Sequence, residues 1–257
     1  MIKPRNAGVV AIIQARMGSS RLPGKVLKDV VGAPMLLRLV VRVRRAQTIG
    51  RVIVATTIDP EDDQVAEMCI KMGIPCFRGD PLDVLDRYYQ AASLFGADTI
   101  VRLTGDCPLI DPLEIDRTVK AFLNAGVDFA ANRLPPPWKR TTPVGMDTEV
   151  VTFEGLARAW REAHSKHARE HVMPFFYEQE GRFSVLLVDH EPDLSRYRLT
   201  VDTPEDLSLV RLIYEFFDGN DEFSLQEMIT VLEDHPDWLA LNADVTHKGY
   251  QDTDDRF

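Results

Sequence analysis

Short apolar runs alternate with segments of helical periodicity along most of the chain. Residues 9–13 form a continuous, largely β-branched run, which is typical of a strand buried on both faces of a sheet. Over residues 34–45 the apolar positions recur at helical spacing and predict an amphipathic helix. Further strands are predicted at 51–56, 74–77, 99–103, 128–131, 148–153, 183–188 and 198–201. Further helices are predicted at 60–72, 83–95, 114–125, 154–164, 169–180, 204–217 and 225–232.

The order of these elements predicts an α/β protein. Strand and helix alternate from residue 9 to residue 103, as they do where parallel strands are joined by right-handed crossover helices. We therefore expect a three-layer α/β/α sandwich around a mixed, mainly parallel sheet, with ligands bound at the carboxyl ends of the strands. Residues 1–217 are predicted to form this domain, and residues 218–257 a polar, acidic C-terminal extension with a short helix.

Composition limits the classes of function. Thirty basic and forty acidic side chains among 257 residues give a formal charge of −10, which argues against nonspecific binding to nucleic acid or to an anionic membrane. No apolar run approaches the ~20 residues of a membrane span, and residues 1–8 lack the apolar core of a signal peptide. Cys69, Cys76 and Cys107 have the spacing of neither a disulfide framework nor a zinc site. We expect a cytoplasmic protein with reduced thiols.

A polar loop rich in glycine and cations follows the first strand. Gly18 and Gly24 permit backbone geometries that expose N–H groups, and Arg16, Arg21 and Lys25 supply positive charge. The loop matches neither the Walker pattern G-x-x-x-x-G-K-[ST] nor the dinucleotide pattern G-x-G-x-x-G. The sequence therefore predicts a polyanion site, most simply one for phosphates, that belongs to neither of those two classes.

Two aspartates stand at the ends of predicted strands. Asp106 follows the strand 99–103, and Asp202 follows the last predicted strand. Such strand ends carry the chemistry in α/β enzymes, and Mg²⁺ commonly takes one or two carboxylates together with substrate oxygens and water. Each aspartate alone is better explained as a turn or cap residue, and the spacing of Thr203 and Asp206 fits a helix N-cap box. Together with the cationic loop, the two aspartates favour a metal site.

Several motifs, taken in order, resemble one enzyme family. They are AIIQARMGSSRLPGKVL, RLTGDCPLIDP, GMDTEV, REHVMPFFY and LTVDTPEDL, and HPDWLALN extends the similarity to residue 242. They resemble the cytidylyltransferase superfamily that activates acidic sugars, in particular its spore coat polysaccharide biosynthesis protein F (SpsF) branch. The resemblance implies a glycosyltransferase-A-like nucleotidyltransferase fold. It also implies Mg²⁺-dependent transfer of CMP from CTP to a sugar acid or related sugar, with release of pyrophosphate, for cell-surface polysaccharide.

The resemblance also implies the residues of the nucleotide site. It assigns nucleotide binding to Gln14, Ala15, Arg16, Ser20, Arg21, Lys25, Arg78, Asp83, Arg87, Thr104 and Asp106. It makes Arg16, Arg21 and Lys25 the expected catalytic cations, which is consistent with phosphoryl transfer, since that reaction needs neutralised and positioned phosphate oxygens rather than a covalent intermediate. Mg²⁺ is assigned to Asp106 and Asp202. Residues 77–92 are expected beside the base and ribose, although Asp83 is equally explained by its place at a helix start.

The acceptor sugar is expected at two further motifs. Asp147 and Glu149 are predicted to alternate on one strand face, where they suit hydroxyls or an amine, although a surface strand also explains them. Arg169 and His171, at a predicted helix start, suit a sugar carboxylate. Gly-Asp-Cys-Pro stands where the octulosonate enzymes have Gly-Asp-Glu-Pro, which argues against that sugar. We interpret Cys107 as a packed side chain rather than a nucleophile.

Two other functions and an oligomer are left open by the sequence. The first function is guanylyl or cytidylyl transfer onto a sugar phosphate. The residues of the base pocket, near 78–87, would distinguish this function from CMP transfer to a sugar acid. The second is a glycosyltransferase that uses a nucleotide sugar on the same fold. That class usually carries a D-x-D metal motif, which Asp106-Cys107-Pro108 does not match. The protein could form a homodimer. Two places explain its apolar residues at least equally well, the dimer interface or the core, and these residues are Val151, Phe153, Phe175 and Phe176.

Overall fold

The computed structural model describes residues 8–246, and its elements follow the predicted order. The strands are Val9–Gln14 (β1), Asp29–Val30 (β2), Ala33–Pro34 (β3), Arg51–Thr57 (β4), Cys76–Gly79 (β5), Thr99–Thr104 (β6), Phe129–Ala131 (β7), Glu149–Thr152 (β8) and Val185–Leu187 (β9). The helices are Met35–Arg44 (α1), Asp63–Lys71 (α2), Val84–Leu94 (α3), Pro112–Ala125 (α4), Phe153–Glu162 (α5), Lys166–His171 (α6), Pro174–Tyr177 (α7), Pro204–Phe216 (α8), Leu225–Asp234 (α9) and Pro236–Leu239 (α10). Short 3-10 turns lie at Lys25–Leu27, Pro60–Asp62 and Ala240–Asn242. Within residues 8–246, no helix has the length and apolar character that crossing a membrane requires.

Seven strands form one sheet in the order β5-β4-β1-β6-β8-β7-β9, and β2 pairs with β3 in a separate hairpin. β8 runs antiparallel to β6 and β7, and all other neighbours in the sheet are parallel. The carboxyl ends of the parallel strands therefore share one edge with the amino end of β8. This carboxyl edge is formed by Gln14, Thr57, Gly79, Thr104, Ala131, Glu149 and Leu187. The predicted mixed, mainly parallel sheet is confirmed.

Helices cover both faces of the sheet. Apolar residues of α1, α2, α4, α8 and α9 form one core cluster with one face, and those of α3, α5, α6 and α7 form a second cluster with the other. The two clusters explain why β1 is apolar throughout its length. Val9, Ala11 and Ile13 enter the first cluster, whereas Val10 and Ile12 enter the second. The predicted three-layer α/β/α sandwich is therefore confirmed.

The helix predicted at 169–180 is wrong, because the chain breaks after α6 and restarts as α7. Val172 takes a left-handed backbone conformation with a φ of 69°, and Pro174 occupies the first turn of α7. Proline has no N–H for a helix interior, and its ring clashes with the preceding turn, whereas the first turn of a helix tolerates it. Two short helices therefore replace one long helix.

The strand predicted at 198–201 is also wrong, because this segment is extended without joining the sheet. It makes an isolated parallel bridge between Arg198 and Val144. Its last residue, Val201, donates its backbone N–H to the carbonyl of Asp106 at 2.8 Å. The aspartate that follows the segment thereby reaches the carboxyl edge beside the end of β6.

The beginning of the C-terminal extension packs onto the sandwich. α9 buries its apolar face in the first core cluster. Arg42 of α1 is fully buried and donates to the carbonyls of Asp221 and Phe223, each at 2.9 Å. The domain boundary at residue 217 stays a prediction, and residues 247–257 of the predicted extension lie outside the described part of the chain.

The apolar residues considered for a dimer interface contribute to the core. Val151 and Phe176 are fully buried, and Phe175 is 8% exposed. Phe153 is partly buried and packs against the second core cluster. The core alternative is confirmed for these residues, and the homodimer itself stays a prediction.

Candidate active site

The polar loop after β1 is closed by a glycine. Ala15 still donates its N–H to the carbonyl of Ala55 in β4 at 3.2 Å, and the chain leaves the sheet after this residue. Gly24 has a φ of 68° and donates its N–H to the carbonyl of Met17 at 2.9 Å. A side chain with a Cβ is strained in this conformation, which explains the glycine. The closure places Lys25 at the start of a 3-10 turn.

A buried carboxylate fixes this loop to the sheet. Asp62 is 2% exposed and accepts hydrogen bonds from the backbone N–H of Met17 at 2.6 Å and from the hydroxyl of Thr57 at the end of β4. A buried carboxylate with two good donors holds both of them in place. Asp62 could not be singled out from the sequence, because it is one of several acids at 59–63 and no spacing distinguishes it.

Lys25 joins the two predicted metal aspartates. Its Nζ atom lies 3.0 Å from Asp106 Oδ2 and 2.9 Å from Asp202 Oδ1, and it donates to the carbonyl of Val201 at 2.7 Å. Burial disfavours the charged ammonium, but the two carboxylates outweigh burial and raise the pKa of Lys25. Lys25 is therefore charged at neutral pH, and the loop is linked to both strand ends.

A close backbone approach brings Asp106 to the loop. The N–H of Gly105 donates to the carbonyl of Gln14 at 2.8 Å. A Cβ at residue 105 would lie 2.8 Å from that same oxygen, closer than packed atoms tolerate. Glycine is therefore required for β6 to end beside β1 and to present the next residue, Asp106, to Lys25.

The neighbouring cysteine is packed. Cys107 is 4% exposed, and its Sγ atom lies 3.3 Å from Thr104 Oγ1. Burial raises the pKa of the Cys107 thiol, so the thiolate that a nucleophile requires is disfavoured. This agrees with our interpretation of Cys107 as a packed side chain, and it shows Thr104 in contact with the residue that follows Asp106.

Asp106 and Asp202 fit a divalent cation. One oxygen of each carboxylate contacts the same ammonium group, so the two carboxylates converge on one point. Mg²⁺ takes one or two carboxylates in such sites and completes its shell with substrate oxygens and water. Residues 8–246 contain no group of three or more His, Cys, Asp or Glu side chains suited to a metal ion. A cation at this pair would therefore rely on oxygens from a substrate.

Two arginines complete the charge balance around Asp202. Its Oδ2 atom lies 3.0 Å from Arg21 Nη2 and 2.9 Å from Arg198 Nη2. Arg21 also donates to the carbonyl of Thr246 at 3.1 Å. Burial opposes ionisation of Asp202, but Lys25 and the arginines outweigh burial and lower the pKa of this carboxyl to about 2. Asp202 is therefore ionised across the physiological range of pH.

Acid is expected to weaken the fold partly through Asp202. The pKa of this carboxyl is about 2 in the folded protein and near 3.8 in the unfolded chain, so the unfolded state binds more protons. The stabilisation, about 2 kcal/mol, is complete above about pH 4 and is lost as the pH falls towards about 2. Urea denaturation of the wild type and Asp202→Asn, at neutral pH and at about pH 3, measures it. The difference in unfolding free energy should narrow in acid, and a difference independent of pH would contradict the ion pairs.

Arg87 is a buried cation at the β5 side of the loop. Its side chain packs against Gly79 and is 3% exposed. Its Nε and Nη1 atoms have no hydrogen-bond partner among the described residues. Burial lowers the pKa of Arg87, and the positive charge of Arg16 in the loop lowers it further. Since buried donors almost always have partners, these two N–H groups are unusual among the described residues.

Arg78 and Asp83, also predicted at the nucleotide, have structural partners. Arg78 donates from Nε to the carbonyl of Thr57 at 2.8 Å, which links β5 to β4. Asp83 caps α3 by accepting from the N–H of Asp86 at 2.8 Å, so its interpretation as a helix-start residue is confirmed. It also pairs with Arg169 of α6, whose Nε lies 2.9 Å from Asp83 Oδ2.

The acids predicted to bind the acceptor are each held by an arginine. Asp147 accepts two hydrogen bonds from Arg140, at 2.6 and 2.9 Å. Glu149 pairs with Arg102, which also donates to Gln14 Oε1 at 3.1 Å. The expectation that Asp147 and Glu149 alternate on one strand is wrong, because β8 begins only at Glu149.

The structure thus unites some predicted residues and separates others. Arg21, Lys25, Asp106 and Asp202 form one cluster, which we call the lysine–aspartate cluster. Ala15, Arg16 and Ser20 belong to the loop that supplies its cations. Arg169 and His171 lie on α6, where Arg169 is paired with Asp83 and the ring of His171 lies 4.8 Å from that of His167.

The fold and the cluster match what a nucleotidyltransferase needs, since transfer of a nucleotidyl group requires fixed cations and acids around its phosphates. The cytidylyltransferase family model matches residues 10–231. The spore coat polysaccharide biosynthesis protein SpsF of Bacillus subtilis is 33% identical over 237 residues, which are 89% of this chain and 95% of SpsF. The chain therefore belongs to the cytidylyltransferase family, and the predicted resemblance to its SpsF-like branch is confirmed.

Solved structures agree with this assignment. A cytidylyltransferase from Leptospira borgpetersenii is 35% identical, with a TM-score of 0.85, and the match covers 93% of this chain and 99% of that one. A CMP-2-keto-3-deoxy-manno-octonic acid synthetase in complex with CTP shares the fold at 22% identity, with a TM-score of 0.62, over 81% of this chain and 99% of that one. The predicted nucleotidyltransferase fold is therefore confirmed.

Proposed function

We propose that the protein transfers CMP from CTP to a hydroxyl of a sugar acid or related sugar, releasing pyrophosphate, in the synthesis of cell-surface polysaccharide. Membership of the cytidylyltransferase family supports transfer of a cytidylyl group. The name of the Bacillus subtilis relative supports a place in polysaccharide synthesis. The octonic acid synthetase of the same fold supports an acidic sugar and CTP. The observation that carries the proposal is the contact of Lys25 with both Asp106 and Asp202, next to a cationic loop.

The lysine–aspartate cluster suits attack of a hydroxyl on the α-phosphate. Arg16, Arg21 and Lys25 would neutralise the triphosphate, and positioned cations stabilise the charge that grows on phosphate oxygens in the transition state. We propose that Asp106 and Asp202 hold Mg²⁺. When bound there, the ion would screen the α-phosphate and lower the pKa of the incoming hydroxyl. Lys25 exchanges its carboxylate partners for phosphate oxygens in this scheme.

The acceptor is proposed to bind on the β8 side of the cluster. Glu149 lies at the amino end of β8 on the carboxyl edge, and both it and Asp147 are fixed by arginines. Fixed carboxylates and guanidinium groups suit the hydroxyls of a sugar. Arg169 and His171 would contact a sugar carboxylate only after a change of partner, because Arg169 is paired with Asp83.

Replacing Arg87 by methionine is expected to raise the KM for CTP between about tenfold and a hundredfold with little change in kcat. The unpartnered N–H groups of Arg87 are proposed to donate to base or ribose oxygens, and losing a hydrogen bond to a charged group costs roughly 1.5–3 kcal/mol. Methionine keeps the buried volume without the charge. Steady-state kinetics at saturating acceptor measure the effect, with the exposed Arg51→Met as control. An unchanged KM would remove Arg87 from the nucleotide site.

A substrate screen tests the proposed function. The protein is incubated with Mg²⁺ and CTP, UTP, GTP or ATP, each with sugar acids or sugar phosphates, and pyrophosphate release is measured. We expect release with CTP and a sugar acid. Release only with GTP, or only with a sugar phosphate, would contradict the proposed substrates while keeping the reaction type. In a parallel incubation with a nucleotide sugar and an acceptor sugar, release of a nucleoside diphosphate, together with no pyrophosphate from any nucleoside triphosphate, would contradict the reaction itself.

A further inference from the structure

We propose that Arg198, Asp206 and Asn242 form a positioning relay through which the C-terminal segment fixes the metal carboxylate Asp202. The inference rests on the proposed function, because it takes Asp202 as a ligand of Mg²⁺. None of the three relay residues was predicted as a site residue from the sequence. They act through Asp202 and are therefore positioning residues rather than catalytic ones.

Asp206 is the centre of the relay. It is fully buried, and its carboxylate accepts from Arg198 Nε at 2.8 Å and from Arg198 Nη2 at 2.9 Å. It also accepts from the backbone N–H groups of Asp202 at 2.9 Å and Thr203 at 3.1 Å. Burial opposes ionisation, but these donors outweigh it and lower the pKa of Asp206. Thr203 and Asp206 also form the predicted capping box of α8, so the relay is anchored on a helix start.

Arg198 links Asp206 to Asp202 and so fixes the orientation of the Asp202 carboxylate. While Nε and Nη2 contact Asp206, Nη2 also lies 2.9 Å from Asp202 Oδ2. The guanidinium is planar and rigid, so two contacts to a buried carboxylate fix the direction of the third. Asp202 Oδ2 is thereby held on the arginine side. Its Oδ1 atom is directed at Lys25 and, in the proposed function, at the cation.

Asn242 closes the relay from the C-terminal segment. Its side chain is mostly buried, with 5% of the residue exposed, and its Nδ2 atom donates to Asp206 Oδ1 at 2.9 Å and to the carbonyl of Arg198 at 3.1 Å. The amide group of Asn242 therefore holds both the backbone of Arg198 and the carboxylate of Asp206, with which Arg198 pairs. Neither contact helps to close a helix or a sheet, which separates the role of Asn242 from that of Asp206.

If the relay orients Asp202, the loss of a relay residue should weaken metal binding. Residues that orient a metal ligand typically change affinity by about tenfold to a hundredfold when they are removed. Asn242→Ala should weaken the binding of Mn²⁺, used as the probe ion, about tenfold in the presence of CTP. CTP binding in EDTA should stay unchanged, because the relay contacts Asp202 and not the nucleotide. Arg198→Lys should show the same pattern, since lysine lacks the planar fork that grips Asp206 through Nε and Nη2 while Nη2 also contacts Asp202.

Electron paramagnetic resonance of free Mn²⁺ and calorimetric titration of CTP, both on the full-length protein, test the proposal. Leu241→Ala, in the same turn as Asn242, and the exposed Arg196→Lys are the matched controls and should bind Mn²⁺ like the wild type. Circular dichroism establishes that each variant is folded. If Arg198→Lys does not fold, the Mn²⁺ affinity of Asn242→Ala alone tests the relay.

Two results would overturn the relay. In the first, folded Asn242→Ala binds Mn²⁺ with CTP as tightly as the wild type, which rejects the relay and leaves the proposed function intact. In the second, the wild type with CTP binds no Mn²⁺ at all, which rejects metal binding by Asp202 and the relay with it.

Discussion

Lys25→Ala is expected to lower kcat about 10²-fold to 10³-fold in a protein that stays folded. Lys25 contacts both Asp106 and Asp202 through a single Nζ atom, and it begins the turn that ends the cationic loop. In the proposed reaction this ammonium group neutralises phosphate oxygens in the transition state, which no neighbouring donor replaces at the same point. Turnover is measured by pyrophosphate release at saturating CTP and acceptor.

The fold should survive this change at moderate cost. Arg21 and Arg198 continue to neutralise Asp202 after Lys25 is removed. We therefore expect a loss of unfolding free energy of about 2 kcal/mol, the scale of a hydrogen bond between charged groups. Lys71→Ala, an exposed lysine at the end of α2, is the control and should leave kcat unchanged. An unfolded Lys25→Ala protein, or one with normal turnover, would show that the loop is structural.

Asp202→Asn is expected to have the larger effect and to abolish metal-dependent activity. The substitution keeps the shape of the side chain but removes the charge at the point where two carboxylates converge. A catalytic metal ion supplies several kcal/mol of transition-state stabilisation, so the loss in kcat should reach about 10³-fold or more. Raising the Mg²⁺ concentration should restore little activity, because the remaining Asp106 is a single ligand.

A matched aspartate separates this effect from a general loss of charge. Asp98 precedes β6, whereas Asp106 follows its end, so the two residues lie at opposite edges of the sheet. Asp98→Asn should therefore retain wild-type activity and Mg²⁺ dependence. Full activity of Asp202→Asn would remove this residue from the metal site and leave Asp106 as the remaining candidate.

Much of the fold follows from patterns that lie close together in the sequence. The run Val9 to Ile13 has to be buried on both faces, and the structure places it between two parallel neighbours, β4 and β6, with alternate residues in the two core clusters. Helical spacing likewise predicts the buried faces of the longer helices. The wrong predictions lie where backbone conformation rather than hydrophobicity determines where an element ends. Examples are Val172, which has a positive φ, and Pro174.

The lysine–aspartate cluster was predictable for the same topological reason. Lys25 and Asp106 both follow parallel neighbours, β1 and β6, so their positions converge at one edge. Asp202 reaches the same edge although the strand predicted before it is absent. The extended segment that replaces that strand still bonds to the backbone of Asp106, and therefore delivers the aspartate to the expected place.

The residues that support the cluster could not be predicted in this way. Asp62 holds Met17 across 45 positions, and Asn242 holds Arg198 across 44. Such side-chain contacts leave no periodicity in the sequence, and the side chains that make them, an aspartate and an asparagine, are of types that are common on surfaces. They depend on how loops pack after the sheet has formed, which only the three-dimensional structure shows.

The most direct test of cytidylyl transfer follows the α-phosphate of CTP. CTP labelled at that position is incubated with the protein, Mg²⁺ and the sugar acid found by the screen, and the products are separated by chromatography. We predict that the label appears in a CMP-linked sugar, with unlabelled pyrophosphate in equal amount. Label recovered as CMP or CDP without any on the sugar would contradict the proposed transfer of CMP to the sugar.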